Sequence, residues 1–415
     1  MSSLAADDPV RARALLDRLR ERSEWLRAQA PARAAAAIAA AARDLLDESS
    51  PHGIRLRREL QQTTGLSLPL IEWGLSSTLG GATARRLSTL AAVAKTRSTL
   101  AVPARVVLLV LAGNVFSAAF RELALSLLLG CPVLAKASRE DDVLPRLFCD
   151  ALRQRDPEVG SACEVLTLPA GSEAMDRVLL QRAEVVAVFG SDETVAAVRC
   201  AIPATVRLVV HGHGFGAIYV PKAALCKPAR VREVVRRVAL DVAAYDQRGC
   251  LSPHAIAVQR GGSLDGSSFA RLLASALARL ERRLPRGRPP ADVQATQMQW
   301  RGVGAARGTV FETPDFAVSY EGSEALRQSP GYRNVGVYAC TNAEALGAWL
   351  APAGAHLKCL GIAADRSQRE RVAAELPATL APRVCGVGCM QSPPLSRLSD
   401  GEPAWRGLLR FIELG

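Results

Sequence analysis

The stretch ARVVLLVLAGN (residues 104–114) limits what this chain can become more than any other part of it. An unbroken run of β-branched residues and leucines marks a strand covered on both faces, the situation inside a parallel sheet. It ends at Gly113-Asn114, and the helical pattern SAAFRELALSLLLG comes next, closed by Gly130 as a cap. The alternation then repeats. PVLAKAS, CEVLTLP and AEVVAVFGS read as strands, separated by the helical patterns DDVLPRLFCDALRQR and SEAMDRVLLQR. After DETVAAVRCAI, a further helix, VRLVVHGHGFGAIYV reads as strand, Gly/His-rich loop and strand. This series over residues 101–220 predicts a doubly wound parallel sheet. Ligands of such sheets bind at the carboxyl ends of the strands. Those ends are Gly113-Asn114, Lys136-Ala137-Ser138-Arg139, Gly190-Ser191 and His211-Gly212-His213-Gly214, a set that outlines a nucleotide crevice.

Before residue 100 the periodicity is helical, over residues 9–47 and again over 55–94, with a break at Ser49-Ser50-Pro51. After residue 220 an arginine-bearing helix leads directly into YDQRGCLSPH (245–254). The strand AIAVQ comes next, then a helix over 268–284 and a Pro/Arg/Gly-rich surface loop at 285–290. GTVFE, FAVSYE, NVGVYAC and LKCLGIA then alternate with helices. The predicted organisation is a helical region (1–100) packed on a sheet domain (101–245), a second α/β lobe (246–385), and a tail (386–415) returning over the body.

Several classes are excluded. The ten cysteines are irregularly spaced with no CxxC pair, against a disulfide framework or structural zinc and for a reducing cytoplasm. Cys385 and Cys389 have no histidine or second pair close in sequence, so no metal is expected. The opening MSSLAADDPV lacks the basic flank and apolar core of a signal peptide. AAAAIAAAA is too short to span a bilayer, so a soluble chain without a membrane span is expected. The net charge of +12 fits either a phosphate-rich ligand or a generally arginine-rich composition. Nucleic acid is not expected, because no basic arm with interleaved aromatics is present. A GxGxxG turn, a P-loop, an HExxH helix and a GxSxG elbow are all missing.

Read in order, the strand exits resemble the aldehyde dehydrogenase superfamily, and more closely its acyl-CoA reductase branch of the LuxC type. The resemblance rests on LAGN (Asn114), KASR (136–139), VFGSDET (Gly190, Ser191), HGHGFG (211–216), DQRGCLSP (Cys250) and GCMQSPPL with a later Asp-Gly in the tail. It implies an aldehyde-dehydrogenase-like α/β fold, with residues 101–245 holding the dinucleotide and 246–385 carrying the catalytic cysteine. Cys250 becomes the nucleophile that accepts an acyl group from coenzyme A or a carrier protein. Asn114 becomes an oxyanion donor. Lys136, Ser138, Arg139, Gly190, Ser191 and Gly212 become cofactor contacts. Relatives that use NAD often have Glu three residues after the lysine; Arg139 stands there, which favours the 2′-phosphate of NADPH.

Taken without the family, Cys250 reads sooner as a small buried hydrophobe than as a nucleophile, and Asn114 sooner as a turn residue. Oxidising relatives place a water-activating Glu in the loop that here reads HGHGFG. His211 or His213 occupies its place, which fits reduction, and His213 is the candidate for proton transfer. His254 is a lesser candidate. Two other functions stay open: an oxidising NAD(P)-dependent aldehyde dehydrogenase, and a catalytically silent nucleotide-binding subunit of a biosynthetic complex. Relatives associate, so a homo-oligomer or complex is also expected by analogy.

Overall fold

The computed structural model describes residues 8–93, 99–111, 113, 115–137, 142–168, 172–321, 327–380 and 382–413. The chain opens with helices α1 (Pro9–Ala28), α2 (Pro31–Leu46), α3 (Pro51–Thr64), α4 (Leu68–Leu79) and α5 (Ala84–Val93). Proline starts the first three, at the one place where its missing N–H costs nothing. Pro31 therefore divides the pattern expected as one stretch over 9–47. The second expected stretch is three helices, separated near Gly65, whose φ of 66° suits glycine, and near Gly80.

Strand β1 (Thr99–Pro103) precedes the alternating series β2 (Val107–Val110), α6 (Ala118–Leu128), β3 (Val133–Ala137), α7 (Val143–Arg155), the single turn α8 (Pro157–Gly160), β4 (Cys163–Thr167), α9 (Glu173–Arg182), β5 (Val185–Gly190), α10 (Asp192–Ala201) and β6 (Arg207–Gly212). Next come β7 (Phe215–Val220), α11 (Pro228–Ala243), β8 (Pro253–Gln259), α12 (Gly266–Glu281), α13 (Ala291–Arg307), β9 (Gly308–Glu312), β10 (Ala317–Glu321), β11 (Asn334–Cys340), α14 (Ala343–Leu350), β12 (Leu357–Ile362), α15 (Arg366–Ala374) and β13 (Arg383–Gly386). The tail carries the hairpin β14 (Leu398–Ser399) and β15 (Glu402–Pro403), then β16 (Leu409–Glu413).

Packing divides the chain into two units. The first comprises Met1–Thr64, Leu75–His213 and Pro394–Gly415; the second comprises Gly65–Gly74 and Gly214–Pro393.

The first unit holds a parallel sheet in the order β4-β3-β2-β5-β6. The chain moves outward from β2 and then returns to its other side. The order therefore reverses between β2 and β5, the switch point where such sheets open a crevice beyond the strand ends. β2 is buried along its length, as its unbroken apolar run requires. Leu108, Val110, Val186 and Val188 pack with Leu16 and Leu19 of α1 and Leu179 of α9. β1 pairs antiparallel with β16, Thr99 opposite Glu413 and Pro103 opposite Leu409.

The second unit holds seven strands in the order β13-β12-β7-β8-β11-β10-β9, parallel except for β9 against β10. Alternation along β7 serves both faces. Ile218 and Val220 pack against α11 and α12, while Ala217 and Tyr219 pack against α14 and α15. The expected alternation through residue 220 thus stops at Gly212. FGAIYV joins the second sheet instead, because its partners β8 and β12 are non-local. By packing, the division falls after His213, not at residue 245, and residues 386–393 belong with the second unit, not with the tail.

Candidate active site

In the second unit, α11 ends at Ala243, and three successive left-handed residues set the path of the turn beyond it: Tyr245 (φ 51°), Asp246 (φ 51°) and Gln247 (φ 60°). None is glycine, so each costs about 1–2 kcal/mol that contacts must offset. Tyr245 is buried; its ring meets Trp73 edge-on at 5.4 Å and its hydroxyl donates to the Gly74 carbonyl (3.2 Å). The buried Asp246 carboxylate accepts from Gly287 N–H and from Arg333 Nε, both at 2.9 Å. Arg333, itself fully buried, also pairs with Glu281. The Gln247 amide donates to the carbonyls of Pro253 (2.7 Å) and Asn334 (2.8 Å).

The facing turn has the same geometry. Gly331 (φ 73°), Tyr332 (φ 52°) and Arg333 (φ 65°) are left-handed too, and Tyr332 N–H donates to the Asp246 carbonyl (3.0 Å). Two strained turns hold each other in place.

Residues 249–252 follow this clasp; Gly249, Leu251 and Ser252 are buried, and Cys250 is exposed. The reading of Cys250 as a core filler is therefore corrected. Beneath it, Ser252 is fully buried. Its N–H donates to the Gly249 carbonyl (2.9 Å), its carbonyl accepts from Gly216 N–H (2.7 Å), and its hydroxyl accepts from the Gln391 amide (3.0 Å). A Cβ on Gly216 would lie 2.6 Å from the Leu251 carbonyl oxygen, so β7 approaches the cysteine turn as only glycine can.

Asp241, in the last turn of α11, is buried and accepts from the N–H groups of Gly388 (2.5 Å) and Met390 (3.0 Å). Burial raises its carboxyl to about 7 against the pull of those two bonds. It anchors the loop that delivers Gln391. His254 is buried, donates from Nδ1 to the Ser329 carbonyl (2.9 Å) and packs on Phe215. Burial lowers its pKa, so it sits there as a neutral packing residue.

In the first unit, β5 and β6 bring five predicted residues together. Phe189 lies opposite His211 and Gly190 opposite Gly212 in the register. A Cβ on Gly190 would meet Thr194 Cβ at 2.8 Å, so the strand turns into α10 through a glycine. Ser191 caps α10, accepting from Thr194 N–H (3.4 Å). His213 is exposed with Nδ1 3.6 Å from the Asp192 carboxylate. Lys136 lies on β3 with its ammonium 2.5 Å from Asp176 of α9. Asn114, Ser138 and Arg139 lie outside the described residues.

His211 differs sharply from His213. It is largely buried, its ring stacks on Phe189 at 4.3 Å, and its Nε2 lies 3.9 Å from Glu122 without a hydrogen bond. Burial lowers its pKa, with Glu122 opposing. Burial also pushes Glu122 up, but Arg121 and His211 outweigh it and hold that carboxyl below its ordinary value.

The family model for acyl-CoA reductase (LuxC) matches residues 85–410. The chain belongs to the acyl-CoA reductase (LuxC) family. It is accordingly an aldehyde-forming oxidoreductase. No match to it was found among curated proteins. Solved structures share its fold at low identity. An indole-3-acetaldehyde dehydrogenase of P. syringae has 15% identity and a TM-score of 0.74, over 100% of this chain and 91% of that one. Aldehyde dehydrogenase 21 from Physcomitrella patens has 12% identity and a TM-score of 0.76, over 99% and 91%. A glyceraldehyde-3-phosphate dehydrogenase from Methanocaldococcus jannaschii has 10% identity and a TM-score of 0.71, over 100% and 96%. The α/β architecture expected from the strand exits is thus that of the aldehyde dehydrogenase superfamily.

Within this LuxC-family chain, sequence reading missed the clasp residues Asp246, Gln247, Arg333 and Asn334, and the support from Asp241 and Gln391. Asp241 did leave a signal: it falls in helical register with Val234 and Val238, on the face that α11 buries. Among the described residues, no helix is long and apolar enough to cross a membrane, and none of the ten cysteines is in a disulfide.

Proposed function

We propose that this member of the family reduces an acyl thioester to an aldehyde with NADPH, through an acyl group carried on Cys250. The observation that carries the reading is the exposed Cys250 on a turn fixed by buried contacts on both sides. A nucleophile placed in this way meets the carbonyl without first having to be ordered. The Cys250 thiolate forms a bond to the acyl carbon, the bond from that carbon to the donor sulfur breaks, and the donor leaves as a thiol. NADPH, when bound, supplies the hydride that takes the cysteine-bound acyl group to the oxidation level of an aldehyde. The resulting hemithioacetal anion loses its bond to Sγ, releasing the aldehyde and restoring the thiolate. Asn114 donates to the carbonyl oxygen in this reading, and His213 gives a proton to the departing donor sulfur, which leaves as a thiol.

The first unit fits a dinucleotide in its donor set. The strand order reverses beside β2, and Gly190 permits the close turn capped by Ser191. Residues 101–213 accordingly supply the cofactor contacts, with Gly190, Ser191 and Gly212 at the strand ends. Lys136 keeps donors beyond the one given to Asp176 for a ribose or phosphate. Arg139, with Ser138 beside it, favours the 2′-phosphate. Position 211 carries a histidine where oxidising relatives place the water-activating Glu, a change that fits reduction over hydrolysis of an acyl-enzyme. The free thiols accord with work in a reducing cytoplasm.

The test is a panel of acyl-CoAs with NADPH or NADH, following cofactor absorbance, aldehyde and released thiol. Expected are aldehyde with NADPH, a weaker rate with NADH, and an acyl adduct on Cys250 by mass spectrometry. No adduct on Cys250 would sink the covalent route, and a clear preference for NADH would sink the cofactor assignment.

A further inference from the structure

The chain's positive charge is concentrated in one place. Residues 222–290 contain fourteen Lys and Arg against five Asp and Glu, which is +9 of the chain's +12. These residues span α11, β8 and α12, and the two helices pack side by side on one face of the second sheet. The other face of the same sheet serves as an internal comparison. Residues 341–376, which include α14 and α15, contain four basic and four acidic side chains. A generally arginine-rich composition predicts similar charge on both faces, so composition does not account for the asymmetry.

The charge lies at the surface. Arg232 and Arg236 of α11 and Arg279, Arg282, Arg283 and Arg288 in and after α12 are all exposed. The acids are largely withdrawn: Asp241 and Asp246 are buried, while Glu233 and Glu281 are half-buried in ion pairs. Among the described residues of this stretch, Asp265 is the one exposed acid. The basic end of α12 also connects to the cysteine turn. Asp246, four residues before Cys250, accepts from Gly287 and from Arg333, and Arg333 pairs with Glu281 at the end of α12.

We propose that the α11/α12 face docks an acidic carrier protein that presents the acyl thioester on a flexible arm. This rests on the reading of Cys250 as the acyl acceptor and names the donor class for that site. Each helix has 16 residues, about 24 Å of length, which is broader than one nucleotide's phosphates need. Exposed charges of this kind act mainly on encounter rate and salt dependence. Aromatic side chains that would stack on nucleic acid bases are not displayed: Tyr245 and Phe269 are both buried.

The test measures binding of a fluorescently labelled acidic acyl carrier protein to the full chain at low and at 200 mM salt. Wild type is expected to bind and to weaken at least tenfold with salt. The triple variant Arg279→Glu, Arg282→Glu, Arg283→Glu is expected to lose at least tenfold at low salt. Its neutral counterpart, with Gln at the same three positions, guards against a folding defect and is expected to lose an intermediate amount. Reversal on the opposite face, Arg366→Glu with Arg371→Glu, is expected to change binding less than twofold.

No binding by wild type, or equal losses on the two faces, would overturn the proposal. So would DNA duplex or phosphatidylglycerol vesicles binding as tightly at 200 mM salt. An equal loss of coenzyme A binding in the triple variant would assign the face to nucleotide phosphates instead. Acyl-CoA reduction by the same preparations separates the two readings. Turnover without carrier binding removes the docking surface alone, and charge-dependent carrier binding without any thioester reduction removes the activity alone.

Discussion

Replacing Asp246 by alanine tests whether the clasp both stabilises the second unit and aims Cys250. The carboxylate is buried and accepts at 2.9 Å from fully buried Arg333 and from Gly287 N–H. Removing one partner of a buried ion pair typically costs about 3–5 kcal/mol. Arg333 keeps Glu281, which points to the lower end, and the orphaned Gly287 N–H adds about 1 kcal/mol. The expected loss is about 3–4 kcal/mol. Asp246→Asn keeps an acceptor and tolerates left-handed backbone, so its expected loss is smaller, about 1–2 kcal/mol. Trp73 packs on Tyr245 beside the turn, and the summed fluorescence of the five tryptophans reports the unfolding transition in urea. Alkylation of Cys250 by iodoacetamide, followed by mass spectrometry, reports the position of the thiol separately. A displacement of about 1 Å can cost about a hundredfold in rate, so turnover is expected to fall further than stability alone accounts for. Stability within about 1 kcal/mol of wild type, or an unchanged Cys250 alkylation rate and turnover in a destabilised variant, would refute the reasoning.

Three further outcomes are expected from the same turn. Gly216→Ala brings a methyl within 2.6 Å of the Leu251 carbonyl and is expected to cost about 1–3 kcal/mol and to lower kcat; stability and kcat both equal to wild type would contradict the close approach. Gln391→Ala strips the buried Ser252 hydroxyl of its donor, with an expected loss of about 1–3 kcal/mol and a fall in kcat larger than any change in KM. The opposite split in steady-state kinetics would remove its positioning role. Asp241 holds its proton up to about pH 7 in the folded chain, whereas the unfolded chain releases it near 3.8. Its contribution is therefore complete below about pH 4 and is lost as pH rises through 7, by up to about 1.4 kcal/mol per pH unit. Asp241→Asn is expected to flatten that fall, and parallel urea-unfolding profiles from about pH 4 to 8 would show that the carboxyl does not titrate in this window.

The architecture was legible where structure depends on local pattern. VLLV could only be a strand covered on both sides, and the glycine at 190 marked a strand turning tightly into a helix. Pattern failed where the partner is distant. FGAIYV looks like the next strand of the first sheet, and its true neighbour β12 begins at residue 357. The clasp was hidden for a different reason. Tyr245, Asp246 and Gln247 take left-handed backbone without being glycine, and the contacts that hold them come from residues 74, 287, 333 and 334. The histidines could not be ranked from sequence because their environments differ by burial: His211 and His254 are enclosed, and His213 faces solvent.

The pairing of β1 with β16 has a consequence for how the chain is made. Synthesis delivers the five-stranded sheet by residue 212, yet β1 lacks its β16 partner until residues 409–413 leave the ribosome. The unit begun first is thus the last to be finished. During that interval the nascent chain must keep an open strand edge and the apolar surface under it from other chains. A premature stop a few codons upstream of residue 409 would leave every site residue translated and the first unit unclosed.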